Sequence, residues 1–225
     1  MIFILADDLG GADLSVYGQN QYETPHLDRL AAQGGRFTQA YAKSAVCSVT
    51  RFALITGRYQ YRLPGGMEEP LLSTGHHLGL PPEHPTLPSL LKAVGYTTAL
   101  IGKWHLGTLP HCGPLKSGYD GFFGNCRGSL DCFTHKPGVG EHVPHDLYEG
   151  EVPLERVGSY TRILAHESSK YIKTMSSKVR HTPSCCRCIS RHPTGPGRGQ
   201  WMRLCPAPSR TCSIITAGTS KPTPR

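Results

Sequence analysis

The chain has 225 residues, enough for one domain with a substantial core or for part of a larger one. It has no run of about 18 consecutive apolar residues, which argues against a membrane-spanning helix, and its apolar start lacks the basic region of a signal peptide. The net charge of +8 is uneven, because residues 176–225 hold seven Arg, two Lys and no acidic residue. Residues 1–175 therefore carry a net charge of −1, from 15 basic and 16 acidic residues.

Strand-like and helix-like segments alternate along the first part of the chain. In chain order, the predicted elements are a strand at 2–6, helices at 24–34 and 48–57 separated by a strand at 36–42, a helix at 86–95 and a strand at 96–102. Thr24 with Pro25 is typical of a helix start, and Gly34 and Gly57 of helix ends. This alternation predicts an α/β fold with a layered mixed sheet flanked by helices.

The pattern stops near Ile172. The last 50 residues contain seven Pro and five of the nine Cys, and only residues 212–218 resemble a strand. We expect residues 1–172 to form a domain and residues 173–225 to form a disordered tail rich in Pro, Arg and Cys. The tail is either genuine or the product of translation in a shifted reading frame. Because it lacks interleaved aromatic residues, it is not typical of a nucleic-acid-binding module, although a basic binding role stays an alternative.

Two adjacent carboxylates, Asp7 and Asp8, directly follow the first predicted strand. Adjacent carboxylates repel each other unless a cation neutralises them, and Ca²⁺ or Mg²⁺ prefers oxygen ligands. In α/β sheets, binding sites lie at the carboxyl ends of strands. The pair therefore indicates either a divalent metal site or a solvated acidic turn.

Cys47 lies at the start of a predicted helix, with Arg51 one turn further on. The N-terminus of a helix favours negative charge nearby, and Arg51 could hold an anion beside Cys47. The alternative is a packed thiol with a surface arginine.

Lys103 and His105 flank Trp104 directly after the strand at 96–102. Alternate side chains of an extended segment share a face, so both basic groups could contact one anion. The alternative is a loop that buries Trp104.

Five ordered blocks resemble the formylglycine-dependent sulfatases of the alkaline-phosphatase-like superfamily. They cover about residues 1–172 and read "IFILADDLGGADLSVYG", "ETPHLDRLAAQGGRFTQAYA", "CSVTRFALITGR", "HPTLPSLLKAVGYTTALIGKWHLG" and "GYDGFFG". The resemblance implies an alkaline-phosphatase-like fold that is truncated here, and hydrolysis of sulfate monoesters. A phosphonate or phosphate monoesterase of the same superfamily is the alternative enzyme.

The resemblance also implies roles for the first two motifs. Asp7 and Asp8 match the first two ligands of an active-site Ca²⁺, for which Mg²⁺ is the alternative ion. Cys47 matches the cysteine that a formylglycine-generating enzyme, or an anaerobic sulfatase-maturating enzyme, oxidises to the catalytic formylglycine, which also contacts the metal. In the family, one hydroxyl of the hydrated aldehyde attacks sulfur and the other later expels sulfate.

The remaining roles fall on basic residues. Arg51 matches the residue that steadies the formylglycine and the metal site, and His105 is expected to be catalytic. Lys103 and His105 match a pair that binds the sulfate of the substrate, so the cations offset the charge of the anion. The family pattern C-x-P-x-R departs here at Val49, which stands in place of the proline that the modifying enzyme recognises.

The compartment is not readable from the residues themselves, and the family implies a periplasmic, secreted or lysosomal-type location. In an oxidising compartment a disulfide could join two of three cysteines, and the sequence leaves the pair open. These cysteines are Cys112, Cys126 and Cys132.

Overall fold

A computed structural model describes residues 1–63, 79–137 and 144–178, together with the backbone of 184–191 and 212–214. The helices in this part of the chain are α1 (Pro25–Gln33), α2 (Cys47–Thr56), α3 (Leu87–Ala93) and α4 (Tyr160–Lys178). The strands are β1 (Ile2–Asp7), β2 (Thr97–Ile101), β3 (Gly121–Gly124), β4 (Tyr148–Glu149), β5 (Val152–Pro153), β6 (Ser184–Arg191) and β7 (Cys212–Ile214).

The described strands form one mixed sheet in the order β5-β4-β3-β2-β6-β1-β7. β6 pairs in parallel with both β1 and β2, and β2 pairs in parallel with β3. β4 and β5 are antiparallel additions at one edge. Since β1, β2 and β3 run in the same direction, the segments that follow them emerge at one edge of the sheet.

Helices cover both faces of this sheet. Leu100 belongs to a buried cluster that contains Phe52 and Ile55 of α2, whereas Ile101 belongs to a second cluster that contains Leu164 of α4. Neighbouring residues of a strand point to opposite faces, so β2 contributes to both layers. The predicted layered α/β fold is confirmed.

Most predicted elements have counterparts in the structure. β1, β2, α1, α2 and α3 all lie within one or two residues of the predicted bounds or inside them. Gly57 closes α2 with a φ of 67°, a left-handed conformation that favours glycine. Thr24 and Gly34 flank α1, as the sequence predicts.

The strand predicted at residues 36–42 is wrong, because this segment has no regular secondary structure. Phe37 and Tyr41 are 68% and 74% exposed, so the alternating aromatic residues do not face a core. Alternation stabilises a strand only where one face is buried and a neighbouring strand supplies backbone partners.

The tail differs in part from the disorder predicted for residues 173–225. α4 continues past residue 172 to Lys178, β6 lies between β1 and β2, and β7 pairs with the outer side of β1. An extended segment between two parallel strands satisfies the backbone groups of both, whatever its side chains are. β7 falls inside the strand predicted at 212–218, and the rest of the tail lies outside the described residues.

Candidate active site

β1 ends in the two predicted metal ligands. Asp7 is the last residue of the strand and is mostly buried, whereas Asp8 is exposed and has a φ of 58°. A non-glycine residue in the left-handed region is strained, and such residues cluster at functional sites. The strand end therefore turns sharply at the two adjacent carboxylates.

Local hydrogen bonds fix the entry to α2. The Thr50 hydroxyl accepts a hydrogen bond from the backbone N–H of Ser44 at 3.0 Å and donates one to the Ser44 carbonyl at 2.6 Å. The Ser44 hydroxyl accepts from the N–H of Val46, the residue just before the helix. Cys47 is consequently held as the first residue of α2 and is half-buried.

Arg51 and Lys103 converge on Asp7. The Asp7 Oδ2 atom lies 2.9 Å from Lys103 Nζ and 3.3 Å from Arg51 Nη2. Arg51 also donates a hydrogen bond from Nη1 to the Lys103 carbonyl at 2.7 Å. The two cationic side chains are 1% and 4% exposed, so little solvent screens this cluster.

His105 contacts the other predicted catalytic residue. Its Nδ1 atom lies 3.1 Å from Cys47 Sγ, within hydrogen-bonding distance for a thiol. His105 is buried and has a φ of 56°. A thiol beside an imidazole is an arrangement that supports nucleophilic and proton-transfer chemistry.

Trp104 anchors the segment between the two basic residues. It is fully buried, donates a hydrogen bond from Nε1 to the Cys112 carbonyl at 2.7 Å, and packs edge-on against Tyr119. The loop that buries Trp104 is therefore observed, and its flanking side chains contact different partners: Lys103 contacts Asp7 and His105 contacts Cys47. The structure thus links five of the six predicted site residues by direct contacts and places Asp8 beside them.

A group of buried residues that supports His105 was not predicted from the sequence. Asn125 and Cys126 follow β3, and Asp146 and Tyr160 reach them from residues far along the chain. The only sequence signal was the position of Asn125 at the end of a strand neighbouring β2. Burial raises the pKa of Asp146 to about 6, against the opposing effect of hydrogen bonds from the backbone N–H groups of Arg127 and Cys126. Burial also raises the pKa of Tyr160 and of the Cys126 thiol.

The described residues do not by themselves provide a full set of calcium ligands. No group of three or more His, Cys, Asp or Glu side chains suited to a metal ion occurs in the described part of the chain. Ca²⁺ takes six to eight oxygen ligands, and one oxygen of Asp7 already contacts two cations. Asp7 and Asp8 alone therefore provide too few ligands for Ca²⁺.

The disulfide considered for Cys112, Cys126 and Cys132 does not form among the described residues, and Cys47 forms none there either. Within the described segments, no helix is long and apolar enough to span a membrane.

Comparison with known proteins identifies the class to which this fold and site belong. The family model for sulfatases matches residues 1–179. Arylsulfatase J of Mus musculus is 41% identical over 156 residues, which cover 67% of this chain and 25% of that protein. N-acetylgalactosamine-6-sulfatase of Homo sapiens is 35% identical over 208 residues, covering 81% and 37% respectively. The chain therefore belongs to the sulfatase family.

A solved structure supports the same conclusion. The crystal structure of Ps i-CgsB in complex with k-i-k-neocarrahexaose superimposes with a TM-score of 0.74 at 27% identity, and covers 87% of this chain and 45% of that one. The chain spans less than half the length of each of these three relatives.

Proposed function

We propose that this chain is the N-terminal part of a hydrolase of sulfate monoesters, with Cys47 at the reaction centre. The observation that carries the proposal is the convergence of Cys47 with His105, and of Arg51 and Lys103 with Asp7, at the carboxyl ends of β1 and β2. A sulfate ester is an anion that repels other anions, so its attack requires a local concentration of positive charge. Residues 1–175, with a net charge of −1, supply that charge here through a few buried groups.

Conversion of Cys47 to formylglycine is part of the proposal. A formylglycine-generating or anaerobic sulfatase-maturating enzyme would oxidise Cys47, which is half-buried in the folded chain. In the family pattern a proline stands at the position of Val49. The side chain at position 47 could therefore be a thiol or an aldehyde, and experiment can distinguish the two. When present, the aldehyde supplies a hydrated nucleophile at the start of α2.

The neighbouring side chains then have distinct tasks. His105 lies within hydrogen-bonding distance of the position-47 side chain and can hold the proton that the nucleophile releases or the leaving alcohol receives. The Lys103 ammonium and the Arg51 guanidinium supply charge on the side of Asp7. Because both cations are nearly excluded from solvent, each acts more strongly on a bound sulfate than a surface cation would.

We propose that Asp7 and Asp8, with the modified side chain at position 47, contribute to a divalent metal site, Ca²⁺ or Mg²⁺. The oxygen donors suit such an ion, and the remaining ligands would come from outside the described residues. The ion would offset the charge of the sulfate group. The contacts of Asp7 with Arg51 and Lys103 would hold its carboxylate in place without the ion.

The 225-residue chain alone is proposed to have low or no hydrolytic activity. It covers 25% and 37% of the lengths of two sulfatases to which it is similar. Residues 1–172 would form the N-terminal part of the catalytic domain, and the sulfatase match runs on to residue 179. α4 and β6 join residues 173–178 and 184–191 to the same fold. A secretory or lysosomal-type compartment is the location proposed for the whole protein.

The test compares hydrolysis of an aryl sulfate and an aryl phosphate by the purified chain and by the product of its resequenced full-length gene. We expect the full-length product to release sulfate faster than phosphate in the presence of Ca²⁺, and the matched Cys47→Ala variant to release neither. Faster release of phosphate would favour the alternative monoesterase. Sustained, metal-dependent sulfate release by the 225-residue chain would overturn the proposal that it is incomplete.

A further inference from the structure

We propose that residues 125–128, held by Asp146, form a cradle that positions His105 against Cys47. The proposal deepens the role given to His105 above and rests on it. Asp146, Asn125 and Gly128 are positioning residues in this arrangement, because they act on the reacting groups only through the imidazole.

The cradle is joined to the catalytic segment by its backbone. The Trp104 N–H donates to the Asn125 carbonyl at 2.8 Å, and the His105 N–H donates to the Cys126 carbonyl at 3.0 Å. These bonds extend the pairing of β2 with β3 beyond both strand ends. A shift of residues 125–126 would therefore move the backbone of His105 with it.

Asp146 holds the cradle through two of its backbone N–H groups. Its Oδ2 accepts a hydrogen bond from the Arg127 N–H at 2.8 Å, and its Oδ1 accepts a longer one from the Cys126 N–H at 3.3 Å. Asp146 is 2% exposed, and its own N–H donates to the His135 carbonyl. A buried carboxylate that accepts two consecutive backbone N–H groups restricts the orientation of both peptide units.

Tyr160, the first residue of α4, adds a second restraint. Its hydroxyl donates to Asn125 Oδ1 at 2.6 Å, while the Asn125 amide donates to the Arg127 carbonyl at 2.7 Å. Asn125 and Tyr160 are both 2% exposed. Hydrogen bonds therefore connect residues of the cradle to each other and to helix α4.

Gly128 forms the wall of the cradle against the imidazole. A β-carbon built at this residue would overlap with the Nε2 and Cε1 atoms of His105, whereas Nδ1, the other ring nitrogen, contacts Cys47. Only glycine leaves room for the ring in this orientation. His105 also has a left-handed backbone conformation, which persists only when its surroundings enforce it.

The experiment measures the alkylation of Cys47 by iodoacetamide across a pH series, using peptide mass spectrometry on the 225-residue chain. Because the chain has nine cysteines, the rate at Cys47 is referred to the rate at half-buried Cys132 in the same sample. We expect Gly128→Ala to slow alkylation of Cys47 at neutral pH by roughly threefold or more, since the displaced imidazole no longer assists the thiol. Tyr160→Phe should slow alkylation of Cys47 by a smaller factor. His105→Ala should slow it by the largest factor.

Matched controls separate positioning from general destabilisation. Gly35→Ala adds the same methyl group where only Phe37 lies nearby, at 4.0 Å, and should leave the Cys47 profile unchanged. Asp131→Asn removes a carboxylate that also accepts backbone N–H groups, but those of Phe133 and Thr134, and it is the control for Asp146→Asn. In this variant the Cys47 rate is compared directly with the wild-type Cys47 rate, because the reference Cys132 neighbours residue 131. Thermal melting identifies any variant that fails to fold.

A folded Gly128→Ala or Tyr160→Phe protein with the wild-type Cys47 profile overturns the proposal, as does an unchanged profile in His105→Ala. Aryl sulfate hydrolysis is assayed separately on the full-length product. If that product releases no sulfate while the Cys47 profile still changes in the Gly128 variant, the proposed function fails and the positioning role stands.

Discussion

Cys47 Sγ lies 3.1 Å from His105 Nδ1, although 58 residues separate them in sequence. Each residue is delivered by a different element, since Cys47 begins α2 and His105 follows β2. Arg51, on the same helix as Cys47, reaches the carbonyl of Lys103 at 2.7 Å. The helix and the loop are therefore joined at two points, and the orientation of one constrains the other.

Replacement of Asp7 by Asn should destabilise the fold by about 3–5 kcal/mol, because it removes the carboxylate charge that the buried cations Arg51 and Lys103 both contact. Urea unfolding at neutral pH measures this loss. Asp8→Asn is the matched control. Because Asp8 is exposed, its replacement should change stability by less than about 0.5 kcal/mol. Equal losses in the two variants would contradict the structural role of Asp7.

Replacement of Val49 by Pro should increase the fraction of Cys47 converted to formylglycine. Position 49 lies in the first turn of α2, where proline is tolerated because its missing N–H has no partner within the helix. Val49 is 2% exposed, so we expect a stability cost of about 1 kcal/mol from lost packing.

Peptide mass spectrometry after co-expression with a maturating enzyme distinguishes the thiol from the aldehyde. Val49→Ala removes similar packing without adding the proline ring and should leave conversion at the wild-type level. Equal conversion in the Pro and Ala variants would show that the residue at position 49 does not limit maturation.

Asp146 should make the folded state less stable as pH rises. Its pKa is raised from an ordinary value of 3.8 to about 6 by burial, so the folded state favours the neutral carboxyl. The stabilisation from this group is therefore fully present below pH 3.8 and is lost as pH rises through about 6. The loss amounts to about 3 kcal/mol at most.

The difference in unfolding free energy between wild type and Asp146→Asn, measured across this pH range, isolates the effect. The wild type should lose stability relative to the variant as pH rises. Asp131 supplies a control of opposite sign, because hydrogen bonds from the Thr134 and Phe133 backbone lower the pKa of its carboxyl. The wild type should lose stability relative to Asp131→Asn as pH falls.

Replacement of Thr50 by Val should loosen the entry to α2. The variant loses the hydroxyl that bonds both the N–H and the carbonyl of Ser44, at an expected cost of about 1–3 kcal/mol. Thr50→Ser retains the hydroxyl and should recover most of the loss. Chemical denaturation compares the variants, and a Ser variant as unstable as the Val variant would assign the effect to the methyl group instead.

Local patterns in the sequence were sufficient for much of the fold. Thr24, Pro25 and Gly34 delimit α1, and Gly57 ends α2, because capping and chain reversal depend on a few adjacent residues. The strand predicted at residues 36–42 failed for the opposite reason. Its alternation resembles that of β-strands, but whether a strand forms depends on a partner that the local pattern does not specify.

The sequence by itself determined which chemical groups are available: two carboxylates after β1, a cysteine at the start of α2, and two basic residues after β2. Only the tertiary structure decided their contacts, with Asp7 joined to Arg51 and Lys103, and Cys47 to His105. It alone also disclosed Asp146 behind the site, 20 residues from Cys126 along the chain. The physical reason is that parallel strands bring distant segments to one edge of a sheet, and burial there sets the strength of each contact.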